Sequence, residues 1–257
     1  MTSSPGHPEA GPTTFLLVHG ACHGAWCWER LEHHLHHKGH RTITVELPSD
    51  VAGLTVVDYA SAVAQEAHLQ ADREDVILVA HSLAGLIAPF IAESMPLKHV
   101  VFLNSLLQQG GFGGVPWPDQ SELPMLVMPF DQLELDEEDR FLLSPDMAMD
   151  YFFGPDCSPE DMTWALTQLR PQAISALYPP ARLIGLPEHL PRTYILGNED
   201  QAVLPSWSRW AARALLDAEL IELPGGHSPQ LARPAHLADV LDAIALSSTA
   251  SKGSARI

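Results

Sequence analysis

An apolar run that stops on a serine constrains this chain more than any other feature. Val76-Ile77-Leu78-Val79-Ala80 leads into His81-Ser82, and Leu83-Ala84-Gly85-Leu86-Ile87 follows. The short, partly β-branched run reads as a buried parallel strand, and the apolar run after it as a helix packed on the sheet. Only a tight turn fits between them. Ala80, Ala84 and Gly85 are small enough to let strand and helix approach closely, leaving Ser82 on a strained turn aimed at a cleft. Taken alone, such a serine is as often structural as catalytic, so the rest of the chain has to decide.

The flanking sequence repeats the same rhythm. Strands are expected at Thr14 to Val18, Arg41 to Glu46, Val76 to Ala80 and His99 to Leu103, with helices at Trp28 to His37, from an N-cap at Asp58 to about Ala71, and at Leu83 to Glu93. Pro89 falls inside the third helix, where it should kink the helix or cost about 3 kcal/mol. Strand and helix alternate again at Arg192 to Leu196, Pro205 to Leu216, Glu219 to Leu223 and Arg233 to Leu246, the last with Pro234 in its first turn. This alternation implies an α/β fold with a mostly parallel central sheet of about six strands, right-handed crossovers and helices on both faces. Residues 108–180 break the rhythm. They hold Gly-Gly-Phe-Gly-Gly, an acidic cluster (Asp131, Glu134, Asp136, Glu137, Glu138, Asp139) and bulky apolar residues such as Trp117, Met128, Phe130, Phe152 and Trp164. A break this long inside a compact domain is usually functional, and it reads as an inserted cap of mostly short helices over a core made of 1–107 and 181–247. Residues 1–13 read as a loose tail and 248–257 as a disordered one.

Bulk properties exclude several classes. A chain of 257 residues with 46% hydrophobic content can bury one large core. Its 14 basic against 32 acidic side chains, a net charge of -18, would repel nucleic acid and anionic membranes. No stretch reads as a signal peptide or a membrane span, and three cysteines make no disulfide framework. A cytoplasmic protein is expected. His33, His34, His36, His37 and His40 spread around a helix with no acidic or cysteine ligand to complete a metal site, so they read as a solvated face. Cys22 and Cys27 read as small buried hydrophobes.

Three loops beyond strand ends carry residues that could make the serine reactive. A hydroxyl is a weak nucleophile at neutral pH; it needs a base, a group to orient that base, and donors for the developing oxyanion. Ser82 follows the third strand, Asp200 sits in Gly197-Asn198-Glu199-Asp200, and His227 ends Pro224-Gly225-Gly226-His227 before the final helix. Each also has a plain reading: an Asp in a turn often only bonds backbone, Glu199 is a rival, and His227 is one of 14 histidines. Asn104, after the fourth strand, offers no carboxylate.

Together these motifs are specific. The sequence resembles the α/β-hydrolase superfamily over nearly its whole length. It is most similar to the branch that holds plant methylesterases, plant hydroxynitrile lyases and related bacterial carboxylesterases. The run Phe15-Leu16-Leu17-Val18-His19-Gly20-Ala21-Cys22-His23-Gly24-Ala25-Trp26-Cys27-Trp28 carries that likeness, with Ala80-His81-Ser82-Leu83-Ala84-Gly85, the Asp200 loop and Gly225-Gly226-His227. The resemblance implies Ser82 as nucleophile, His227 as general base and acid, Asp200 as its orienting group, and the backbone N–H groups of Ala21 and Leu83 as oxyanion hole. It implies no metal and no organic cofactor, and a cap closing an apolar pocket over Ser82. The expected activity is hydrolysis of a small-to-medium, largely apolar carboxylic ester; a homodimer is compatible with it. A lyase, a carbon–carbon hydrolase, a natural-product tailoring enzyme or a non-catalytic small-molecule receptor would use the same scaffold. Two departures matter: alanine stands at 80 and 84 where the usual turn has glycine, and Ser228 stands where the lyases have lysine.

Overall fold

The computed structural model describes residues 12–70, 76–110, 115–126, 128, 133–178, 180 and 182–253, with side chains described as far as Ser248. Six strands form one parallel sheet. In chain order the core elements begin with β1 (Thr14–Val18), a 3-10 turn at Ala25–Trp28, α1 (Glu29–His37), β2 (Arg41–Val45) and α2 (Val56–Gln70). Then come β3 (Val76–His81), α3 (Ala84–Ser94) and β4 (His99–Leu103). The intervening segment holds β5 (Arg140–Phe141), α4 (Pro145–Ala148), α5 (Pro159–Leu166) and β6 (Gln172–Ala173). The chain closes with β7 (Arg192–Gly197), α6 (Pro205–Ala214), β8 (Glu219–Leu223), α7 (Pro229–Ala232) and α8 (Pro234–Gly253).

The strand order β2-β1-β3-β4-β7-β8 makes the chain reverse direction across the sheet between β1 and β3. Ligand sites of open parallel sheets lie beyond the carboxyl ends of the strands at such a point, and the loops after β1 and β3 are those of Ala21 and Ser82. Side chains alternate along the buried strands and separate two cores. Leu16, Val18, Leu78, Ala80, Val100 and Phe102 pack with α2, α3 and α6, while Phe15, Leu17, Ile77, Val79, Val101 and Leu103 pack with α1 and α8. A third cluster joins Cys22 of the loop after β1 to Phe141, Leu143, Phe152 and Phe153 of the segment and to Leu231 of α7.

Several local expectations change. Asp58 is not the N-cap of α2: the helix begins at Val56, and Asp58 lies in its first turn, where Oδ2 accepts from both the N–H and the hydroxyl of Thr55 at 2.8 Å. α3 runs through Pro89, whose missing N–H leaves the Gly85 carbonyl without its helical partner. α8 extends to Gly253, so the tail expected to be disordered from 248 is helical over most of its length; 254–257 lie outside the described residues. So do 1–11 of the N-terminal tail, most of the Gly-Gly-Phe-Gly-Gly run, Phe130 and Asp131. Besides short helices the segment 108–180 contains a small antiparallel ribbon, β5 with β6. Ser144 and Ser158 cap α4 and α5, each followed by proline. In the acidic cluster, Asp136 and Glu138 both pair with Arg140. His40 leaves the solvated face assigned to it: it is buried against the Phe15 ring, with Nε2 2.9 Å from Asp242. No helix among the described residues is long and apolar enough to cross a membrane.

Gly85 shows how closely α3 approaches the sheet. A Cβ there would lie 2.1 Å from the Leu106 carbonyl oxygen and 2.8 Å from Ser105 Cβ. The first of these obstacles is backbone and cannot rotate away. Gly85→Ala is expected to cost roughly 2–4 kcal/mol, read as a lower urea midpoint at unchanged slope.

Candidate active site

Ser82 sits at the turn between β3 and α3 with φ of 53°, in the left-handed region that a side chain enters at a cost. The turn is held from several sides. Ser82 N–H donates to the Leu103 carbonyl, and the N–H groups of Gly85 and Leu106 converge on the Ser82 carbonyl. Alanine at 80 and 84 is accommodated, both fully buried. The glycine that the turn needs across from it is Gly20, where a Cβ would meet Ser82 Cβ at 2.7 Å.

Asp200 and His227 come together from the ends of β7 and β8. His227 Nδ1 donates to Asp200 Oδ2 at 2.8 Å, and the other carboxylate oxygen accepts the N–H groups of Ala202 and Val203 at 2.8 and 3.0 Å. Both side chains are buried, so the carboxylate is held rigidly and spends its remaining capacity on backbone. Glu199, the rival, is exposed beside it. His227 Nε2 is buried without a hydrogen-bond partner among the described residues; no Ser82–His227 hydrogen bond is formed. Catalytic hydrogen bonds of this type are often long until substrate is bound. Ser82 and Ala21 line one small cavity of about 20 Å³, with Phe152 on its wall; the His227 ring stacks on Phe152 at 5.7 Å and 21°.

The loop after β8 is positioned by two residues to which the sequence reading gave no such role. His81 Nε2 and Asn104 Nδ2 both donate to the His227 carbonyl at 2.9 Å. Asn104 also donates to the Gly226 carbonyl, while its Oδ1 accepts Gly197 N–H at 2.7 Å, so one amide ties β7, β8 and its own strand end together. Its position, a polar residue directly after a fully apolar strand, is the signal that marked it.

The segment 108–180 reaches both halves of the site. Asp156 accepts Gly226 N–H at 2.9 Å and Arg233 Nε at 2.8 Å. Arg170 N–H donates to the Cys22 carbonyl, and its guanidinium pairs with Glu46, whose other oxygen accepts Ala25 N–H. The loop of Ala21 is thus pinned between β2 and the segment. His19 completes it, accepting Leu47 N–H at Nε2 and donating from Nδ1 to the Gly20 carbonyl.

Two buried histidines stand next to His227. Burial pushes His23 down to about 3, against the upward pull of its bond to the Ala21 carbonyl. Burial, then the neighbouring His227 and His23, holds His81 well below the ordinary histidine range. Both pKa values are lower folded than unfolded, so the unfolded chain takes up protons that the native state refuses. Stability is therefore complete above the ordinary 6.5 and declines as pH falls toward 3, by on the order of 5 kcal/mol for His23 alone. The urea midpoint is expected to drop steadily between pH 7 and 4, with a shallower drop for His23→Phe.

A family pattern described as the alpha/beta hydrolase family matches residues 15–240. The chain belongs to the alpha/beta hydrolase family. Its relatives by sequence include Methylesterase 9 of Arabidopsis thaliana, 29% identical over 90% of this chain and 97% of that one. Salicylic acid-binding protein 2 of Nicotiana tabacum is 29% identical over 87% and 93%, and an alpha-hydroxynitrile lyase of Arabidopsis thaliana 27% identical over 90% and 96%. Among solved structures, polyneuridine aldehyde esterase superposes with a TM-score of 0.74 at 23% identity, covering 91% of this chain and 99% of that one. That likeness is one of fold. Within the alpha/beta hydrolase family this chain is similar to the branch that holds plant methylesterases and a plant hydroxynitrile lyase.

Proposed function

We propose that the alpha/beta hydrolase cleaves a neutral, largely apolar carboxylic ester through an acyl-enzyme on Ser82. The observation that carries this is the buried His227–Asp200 pair, whose unpartnered Nε2 lies in the same site as a serine on a left-handed turn. Ser82 Oγ attacks the ester carbonyl carbon while His227 Nε2 takes its proton. The tetrahedral oxyanion is met by the N–H groups of Ala21 and Leu83, neither of which makes a hydrogen bond among the described residues. The carbon–oxygen bond to the alcohol then breaks, and His227 returns the proton to the leaving oxygen. Water, deprotonated by His227, attacks the acyl carbonyl, Ser82 leaves with that proton, and the acid is released. Asp200 holds the Nδ1–H tautomer throughout. The segment 108–180 acts as the cap, its Phe141 and Phe152 walling the small cavity. The three cysteines are free and buried, which suits a reducing cytoplasm. Cyanohydrin cleavage is disfavoured because Ser228, beside His227, brings no positive charge to a cyanide leaving group.

A fluorophosphonate probe tests the reading directly. Stoichiometric labelling that maps to Ser82, together with hydrolysis of methyl and p-nitrophenyl esters, is the expected result. Absence of labelling would sink the nucleophile assignment, and labelling without release from any ester would shift the reaction to another substrate class.

A further inference from the structure

The loop that carries His227 is held by two sets of contacts, and only one of them comes from the sheet. Gly197, at the end of β7, lets the loop lie close against the core: a Cβ there would meet the Gly226 and Gly225 carbonyl oxygens at 2.3 and 2.6 Å. His81 and Asn104 add their bonds to the His227 carbonyl. The second set comes from residues 152–156, which belong to the segment 108–180. Gly225 and Gly226 are glycine for different reasons. Gly225 has φ of 102°, in the left-handed region. Gly226 is not among the residues with positive φ, yet a Cβ on it would lie 2.2 Å from the Gly154 carbonyl oxygen and 2.9 Å from Pro155 Cδ. The segment, and not the backbone conformation, excludes a side chain there.

Asp156 sits at this close contact. Its Oδ1 accepts Gly226 N–H at 2.9 Å and its Oδ2 accepts Arg233 Nε at 2.8 Å. One carboxylate thus ties the residue before His227 to the residue that leads into α8. A charged acceptor makes both bonds strong and short. Phe152, four residues earlier, lays its ring on the His227 ring at 5.7 Å and 21°. The imidazole is therefore held along its backbone by Asp156 and across its face by Phe152, both from one short run of the segment.

Resting on the serine hydrolase reading above, we propose that Asp156 is a positioning residue for the general base. It acts through Gly226 N–H to hold His227 where Nδ1 meets Asp200 and Nε2 is free to take the serine proton. The base is aligned only while residues 152–156 are seated on its loop. No proton passes to Asp156, which keeps its own charge partner in Arg233. A base displaced by about 1 Å loses on the order of 100-fold in rate although every group of the triad is still present.

Asp156→Ala and Asp156→Asn separate positioning from mere support. The alanine leaves Gly226 N–H without its acceptor. The asparagine keeps an oxygen for it and gives up the pair with Arg233, whose side chain is 39% exposed and can turn to solvent. With methyl or p-nitrophenyl esters, Asp156→Ala is expected to lower kcat about ten- to hundredfold with KM within about threefold, and Asp156→Asn to stay within about threefold of wild type. A second readout needs no substrate. In protein carrying nitrogen-labelled histidine, the low-field Nδ1 proton of His227, identified by its absence in His227→Gln, should broaden or vanish in Asp156→Ala and persist in Asp156→Asn. Melting curves of both variants check that they fold; should Asp156→Ala not fold, Asp156→Ser, too short to reach Gly226, replaces it. Wild-type kcat and resonance in Asp156→Ala overturn the proposal. So do an equal loss in Asp156→Asn, a loss that only follows the melting temperature, or the lack of such a proton in wild type. If wild type neither labels with fluorophosphonate nor releases product from any ester, the hydrolase reading falls, and the resonance alone decides whether Asp156 holds the His227–Asp200 pair.

Discussion

Ser82→Ala is expected to lower kcat for any ester the wild type cleaves by about 10^5-fold, with KM changed only a few-fold. The size follows from what the substitution removes. Other groups of a triad cannot replace the attacking oxygen, and what remains is binding plus the oxyanion donors. Alanine keeps the Cβ that Gly20 makes room for and keeps the left-handed turn as strained as before. The folded protein should therefore melt within a degree or two of wild type, and the loss belongs to chemistry. Comparable turnover by the variant would mean that another group attacks.

The second large effect is expected at Asp200. Asp200→Asn is predicted to reduce kcat by about 10^3–10^4-fold. One oxygen of the carboxylate accepts two backbone N–H groups and the other accepts His227 Nδ1–H. The amide oxygen of the variant keeps the two backbone bonds, because they hold the more rigid side of the site. Its NH2 then faces His227 Nδ1, which must accept instead of donate. That forces the proton onto Nε2, where it blocks removal of the serine proton. The structure survives while the tautomer is wrong, so the measurement is kcat beside a melting curve. A pH–rate profile completes it: activity should recover partially at high pH if the tautomer argument holds. Parallel loss of stability and activity would mean that Asp200 serves mainly to hold its turn.

The centre of the sheet was legible because β1, β3 and β4 are buried on both faces and therefore appear as apolar runs, and all three match their expected positions closely. The loops of Ser82 and Asp200 were legible for the same reason, whereas the loop of His227 follows the edge strand β8, with glutamates at 219 and 222, and was legible from Gly225-Gly226-His227 instead. Helix ends were less so. Asp58 is a good cap residue by type, yet the bonds it makes are those of a first-turn carboxylate reaching back to Thr55, and type alone does not separate the two roles. The extension of α8 was lost in a Ser-, Ala- and Thr-rich stretch with no apolar periodicity to mark it. His40 was grouped with its neighbours by spacing, but the chain turns at Gly39 and sends it inward to Asp242. The supports of the site were illegible altogether. Arg170 and Glu46 are 124 residues apart, and nothing in either neighbourhood announces the other. The burial that displaces His23 and His81 from their ordinary pKa range is likewise a property of the assembled site.

The double attachment of the segment 108–180 has an evolutionary consequence. Asp156 grips the loop of His227, and Arg170 grips the loop of Ala21. The part of the chain best placed to vary with substrate is therefore fastened to the part that must not vary. New specificities can accumulate outside the two anchors, at the residues of the segment that wall the small cavity, such as Met128, Phe141 and Leu177. A wholesale graft of the segment from a relative would carry foreign anchors into both loops, and would succeed only where the residues at 156 and 170 travel with partners that still fit Gly226, Arg233, Cys22 and Glu46.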